Sequence, residues 1–117
     1  MAPKAKRDPA TVRTAADRHA FKDFVLDQLA GIPELSARAM FGGYGLYARE
    51  KFFGIIWKDT FYLRTSPETA RRYIAAGMDP FRPNRRQTSK RYYEVPADIV
   101  ERRSELARWA AEALTVG

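Results

Sequence analysis

Between residues 82 and 91 the chain carries Arg82, Arg85, Arg86, Lys90 and Arg91 and no acidic residue. Cations gathered this closely attract phosphates, and the affinity they give comes with counterion release and a steep salt dependence. Phe81, Tyr92 and Tyr93 flank them, and aromatic faces beside cations can stack unpaired bases. Arginine-rich sets also suit acidic protein surfaces, because guanidinium matches carboxylate in a fork. The plainer alternative is a solvated loop. These five residues form the candidate nucleic-acid-binding set.

Other chemistry is thinly supplied. Gly42-Gly43-Tyr44-Gly45 invites comparison with a phosphate loop, but such a loop needs a helix N-terminus after its glycines. The alternation that follows predicts a strand instead, so a bend or bulge ahead of a hairpin is expected. His19 is the only histidine and cysteine is absent. A Ser-His-Asp or Cys-His arrangement would therefore have to use His19, which falls in the first turn of a predicted helix with no serine beside it. No His, Asp or Glu set has metal-ligand spacing. Glu94 is the one acid in a predicted strand near aromatics, and an aromatic pocket near Tyr44, Tyr47 and Tyr62 could receive a small molecule. No catalytic residue, metal or cofactor is expected.

The elements that must position these groups centre on residues 40–65. Aromatic and β-branched runs at 44–48, 52–57 and 61–65 are cut by Arg49-Glu50-Lys51 and Lys58-Asp59-Thr60, the pattern of consecutive antiparallel hairpins. Alternation puts Phe53, Ile55 and Trp57 on one face of the middle strand and Phe52 and Ile56 on the other. A strand apolar on both faces is central or has its second face covered. Phe61 and Leu63 share a face, with Tyr62 and Arg64 opposite. Glycines within this stretch mark a bulge, a bend or a close backbone approach.

Residues 35–40 predict a strand before the meander. Phe21, Phe24, Val25, Gln28 and Leu29 predict a helix ahead of that, capped by Asp17 and stopped by Gly31 and Pro33. Ser66-Pro67 opens a second helix, with Thr69 where a capping-box glutamate would stand, so the box is expected to be incomplete. Asp79-Pro80 and Arg82-Pro83 predict extended or turn backbone. Residues 84–90 read as the least ordered internal segment, and residues 91–95 as a last strand. Asp98 and Glu101 have capping-box spacing, and Leu106, Trp109, Ala110, Ala113 and Leu114 predict a final helix. The expected fold is α+β and two-layered: an antiparallel β-meander sheet of about five strands, flanked by N-terminal, middle and C-terminal helices. Phe24, Leu29, Ile55, Leu63, Trp109 and Leu114 are expected to be largely buried.

The 117 residues suffice for one domain with its own core. Residues 1–14 read as a flexible basic tail and residues 15–117 as the domain. The net charge is +7. The tail holds +3 and residues 82–91 hold +5, which leaves 12 basic and 13 acidic residues elsewhere. A high isoelectric point here reflects a tail and one segment, not a basic body. The absence of cysteine fits a reducing cytoplasm, and no apolar run reads as a signal peptide or membrane span.

The succession MFGGYGLY, FFGIIW, FYLRT, GMDPFRP and YYEVP resembles the N-terminal domain of the TfoX/Sxy competence regulators, over roughly residues 18–115. Where that family's first hairpin turn resembles Asp-Gly, this chain has Arg49-Glu50, so a differently built turn is expected. The resemblance implies a non-catalytic regulatory or protein-interaction domain that helps a transcription activator at competence-gene promoters. In full-length regulators a second, helical domain follows, and the expectation here is the N-terminal domain without it. The expected partner is a protein of the transcription machinery or an activator, with a homodimer also expected and no membrane. The alternatives are direct nucleic-acid binding through residues 82–91 and the tail, and a small-molecule binder or enzyme.

Overall fold

The computed structural model describes residues 15–40 and 42–116. The expected tail at 1–14 lies outside the described residues. In chain order the elements are α1 (Ala15–Gln28), β1 (Leu35–Met40), β2 (Gly43–Ala48), β3 (Lys51–Trp57) and β4 (Thr60–Arg64). They continue with α2 (Pro67–Ala75), β5 (Pro80–Asn84), β6 (Gln87–Glu94), α3 (Ala97–Val100) and α4 (Arg103–Thr115). The six strands form one antiparallel sheet in the order β1-β2-β3-β4-β6-β5. The α+β, two-layer expectation holds, with six strands rather than about five. The extra strand is β5. Its prolines argue against a central strand, but β5 is an edge, where a missing N–H costs no ladder bond.

Tight turns join β2 to β3 and β3 to β4. Ala48 pairs with Lys51, and Trp57 with Thr60. Arg49 and Glu50 have φ of 52° and 67°, Lys58 and Asp59 φ of 51° and 58°. Two successive left-handed residues match the twist of the flanking strands, which is why Asn-Gly or Asp-Gly usually fills such turns. With side chains present, each left-handed residue costs roughly 1–2 kcal/mol. The Arg49-Glu50 turn is therefore not built differently from an Asp-Gly one; it is built with more strain.

A bulge corrects the expected faces of β3. Leu46 pairs with Gly54, but Tyr47 pairs with Phe52, so Phe53 is an extra residue. One extra residue shifts the alternation by one. Phe53 and Ile56 consequently join the helix-side core, while Ile55, with Phe52 and Trp57 against it, belongs to the other side. Gly54 allows the local crowding: a Cβ there would meet the Phe61 ring at 3.0 Å and the Tyr62 carbonyl oxygen at 3.3 Å.

All four helices contribute to the core on one side of the sheet. Val25 and Leu29, Ala70 and Tyr73, Val100, and Leu106, Ala110 and Ala113 pack there against strand residues such as Phe61 and Leu63. Leu29, Ile55 and Leu63 are buried as expected. Phe24 is not, at 40% exposed, and Trp109 and Leu114 are half-buried. The reason for Phe24 is Gln28. Its amide donates to the Val100 carbonyl at 3.1 Å, and this buried bond turns the α1 face toward Val25 and Leu29 and leaves Phe24 at the rim. Trp109 lies at the edge of the helix layer, its ring against Tyr73 and 4.1 Å from the Arg72 guanidinium.

Three helix starts differ from expectation. The capping box at α2 is complete: Ser66 Oγ accepts from the Thr69 N–H at 3.1 Å, and Thr69 Oγ1 accepts from the Ser66 N–H at 2.9 Å. A threonine hydroxyl thus serves where glutamate is usual. Asp98 caps nothing, because α3 starts one residue earlier with Pro96 at its N-cap. Asp17 lies inside α1 rather than ahead of it. No helix among the described residues is long and apolar enough to cross a membrane.

Candidate functional site

Residues 84–90, read from composition as the least ordered internal segment, form the turn and one arm of the β5–β6 hairpin. Asn84 closes it. Its side-chain carbonyl accepts from the Arg86 N–H at 2.8 Å and the Gln87 N–H at 3.0 Å, and its amide donates to Gln87 Oε1 at 2.8 Å. An asparagine side chain that binds backbone two and three residues on substitutes for a backbone turn. The register then slips twice. Asn84 faces Gln87, Phe81 faces Ser89 and Pro80 faces Tyr93. Lys90, Arg91 and Tyr92 thus occupy a wide bulge opposite a single step of β5, and bulges re-aim side chains.

Arg82, Arg85, Arg86, Lys90 and Arg91 are all exposed. None makes an ion pair with another described residue. The fold does not gather them into one patch. Arg86, Lys90 and Arg91 line a shallow groove with Phe81 and Pro83. Arg85 and Arg86 flank a second concavity at the tip. Arg82 lines neither. Lys90 and Arg91 also face a third groove, which they share with Arg64 at the end of β4. Arg64 is the site residue that reading along the sequence missed. Its signal was its alternation with Tyr62, but its neighbours come from the pairing of β4 with β6, which no local pattern announces.

The hairpin is anchored on the sheet face away from the helices. Phe81 reaches over to the Tyr62 ring at 4.9 Å and the Trp57 ring at 5.4 Å. Beside them runs a row of rings: the Arg38 guanidinium 4.3 Å over Tyr47, Tyr47 stacked on Phe52 at 5.1 Å, and Phe52 against Tyr92 at 5.2 Å. Tyr92 stands directly opposite Arg64. Burial pushes the Tyr92 hydroxyl above its ordinary range, and the Arg64 side chain beside it tempers that shift. Burial and the Glu94 charge push Tyr62 up to about 12. Glu94 is raised by burial and by the nearby Asp79 carboxylate. A glutamate so placed resists ionisation, and its cross-strand neighbour is Tyr62.

The remaining candidates scatter. Tyr44, Tyr47 and Tyr62 line no common pocket. Tyr44 packs on the helix side against His19, at 6.1 Å, and against Lys22, while Tyr47 and Tyr62 belong to the opposite face. His19 is exposed and packs against that ring edge. The glycine stretch forms a bend: Gly42 has φ of 80°, and Gly43 pairs with Met40. Gly43 also lies so close to β3 that a Cβ would sit 2.2 Å from the Ile56 carbonyl oxygen. Close strand approach, not phosphate, explains that glycine. Among the described residues no group of three His, Cys, Asp or Glu is placed to hold a metal.

No curated protein matches the chain. The model of the TfoX N-terminal domain family matches residues 27–116, from the end of α1 through α4, and the chain belongs to that family.

Proposed function

We propose that this domain is a non-catalytic regulatory module that works by binding another macromolecule, in the manner of an accessory to transcription activation at competence-type promoters. The observation that carries it is the β5–β6 hairpin: five exposed cations, none ion-paired with another described residue, on a hairpin whose Phe81 packs against the Tyr62 ring. Unpaired surface cations contribute nothing to the fold that a neutral side chain would not, so their use lies in an external acidic surface. A cysteine-free chain suits the cytoplasm that this reading requires. The test is capture of host protein by the immobilised chain, with and without nuclease. A partner retained after nuclease, and lost in Arg86→Glu with Lys90→Glu, supports the reading. Capture that vanishes with nuclease, or that ignores both substitutions, overturns it.

The same hairpin supports a second reading, direct contact with duplex DNA through Arg82, Arg85, Arg86, Lys90 and Arg91. Five phosphate contacts predict a log–log salt slope of about −4 to −5. Arg85→Ala with Arg86→Ala then flattens the slope by about two and weakens all sequences alike, since phosphate contacts carry no base information. Fluorescence anisotropy over a salt series reads both quantities. No binding even at low salt ends this reading.

A further inference from the structure

The third groove, between the end of β4, the start of α2 and the bulged arm of β6, sets two of those cations beside features that neither reading above uses. One wall carries Arg64, Lys90 and Arg91, and no acid occurs among its described lining residues. The floor is aliphatic, made by Ala70, Ile74 and Val116. Ile74 is 56% exposed although its neighbour Tyr73 is fully buried, so α2 holds a large apolar side chain toward solvent at this groove. The cations are placed by the sheet. Arg64 pairs across to Tyr92, and the Thr65 N–H donates to the Arg91 carbonyl at 2.6 Å. Thr65 Oγ1, buried beside this wall, has no hydrogen-bond partner among the described residues.

We infer that this groove binds an acidic segment of a partner protein, one that sets an apolar side chain against Ile74 between carboxylates that face Arg64, Lys90 and Arg91. The inference rests on the protein-binding reading above and adds the class of partner. The floor decides against nucleic acid here. Bases need an exposed ring to stack on, and the one aromatic lining residue, Tyr93, is buried and turned to Tyr73 at 6.1 Å. An aliphatic floor under a cationic wall suits a peptide that alternates apolar residues with acids.

The probe is a fluorescein-labelled peptide in which Asp and Glu alternate with Leu and Phe, titrated against the full chain. One control peptide replaces the acids with Lys, and another replaces the apolar residues with Ser. The expected result is binding of the first peptide alone. Ile74→Ser and Lys90→Glu each weaken it about tenfold with unchanged circular dichroism, as for contacts central to an interface. Both residues are exposed, so neither substitution disturbs the core. Arg85→Glu at the hairpin tip leaves the affinity unchanged. No peptide binding at low salt overturns the inference. So does equal binding of the serine peptide, loss of binding in the tip variant, or displacement of the peptide by duplex DNA with matching shifts of groove amides. If lysate capture survives nuclease and persists in Ile74→Ser but is lost in Arg86→Glu with Lys90→Glu, the groove is wrong while the protein-binding reading stands. If the wild-type chain captures nothing after nuclease, that reading itself falls.

Discussion

The two faces of this sheet are closed by different means. On one face, four helices supply mostly aliphatic and small residues together with Tyr73 of α2, and the core there includes the fully buried Val25, Leu46, Phe61, Leu63 and Leu106. On the other face every core member comes from a strand: Ile55, Tyr62, Phe81 and Tyr92, with Phe52 and Trp57 against them. Among the described residues no helix contributes to that core, and the sheet covers itself with large rings and with a hairpin that swings Phe81 across. Rings suit this task because each covers much area and tolerates a polar tip at the boundary. The difference separates stability from function. The helix face is closed by elements spread along the whole chain, whereas the strand face is closed by the same hairpin that carries the candidate site. Whatever grips the hairpin also pulls on the second core.

The largest expected effect tests the helix face. Leu63→Ala removes a fully buried side chain and costs roughly 2–5 kcal/mol. The denaturation midpoint reads it, and an unchanged midpoint means that the helix face is not the stability core. Phe81→Ala comes next. It is expected to cost less than the roughly 3–5 kcal/mol of a phenylalanine truncation in a closed core, because the loss falls on the hairpin. Hydrogen exchange should show protection lost in β5 and β6 and retained in β3 and α4. Equal loss of protection throughout would mean that the two faces unfold as one unit.

Titration gives smaller and finer tests. Tyr62 and Tyr92 on the strand face, and Tyr73 under the helices, all have raised hydroxyl pKa values with burial as the main cause. The folded state thus keeps these protons above pH 10.0, the ordinary tyrosine value, where the unfolded chain releases them. Stability is therefore lost as pH rises from there toward about 12 for Tyr62. The contribution of Tyr62 is of the order of 1 kcal/mol after solvent screening. Tyr62→Phe should flatten the alkaline limb of a stability–pH profile, and a limb that keeps its slope places the titration elsewhere. The smallest effect is at Glu94. Its raised pKa means that ionisation opposes folding above that value, and that the opposition is relieved as pH falls toward 4.5, the ordinary glutamate value. Glu94→Gln is therefore slightly stabilising near neutrality, by less than about 1 kcal/mol at this half-exposed position, and indifferent in acid. Destabilisation by Glu94→Gln at neutral pH would contradict the assigned burial.

Much of this was legible along the chain because it is local. The meander follows from three aromatic runs and two charged breaks, and α2 from Ser66-Pro67. The cations between Arg82 and Arg91 stand out as a set. What could not be read is what depends on partners far away in sequence. The bulge at Phe53 reverses two residues of β3, and it exists only in the register of β3 against β2. Phe24 looks like a core residue until Gln28 finds the Val100 carbonyl. β5 looks like a linker because its prolines forbid a central strand, and only its place at the sheet edge makes it acceptable. The groove under Arg64 and Ile74 is invisible until β6 inserts between β4 and β5.

That placement of prolines has one more consequence. A sheet with two open edges can add neighbours without end, as a strand template does in fibre growth. Here Pro80 and Pro83 remove N–H donors from the β5 edge, while β1, Leu35–Met40, lies at the other edge and contains no proline. Of the two edges β5 is therefore the poorer template for an added strand and β1 the better one. A filament that needs both edges would have to grow through the strand that prolines make costly to pair.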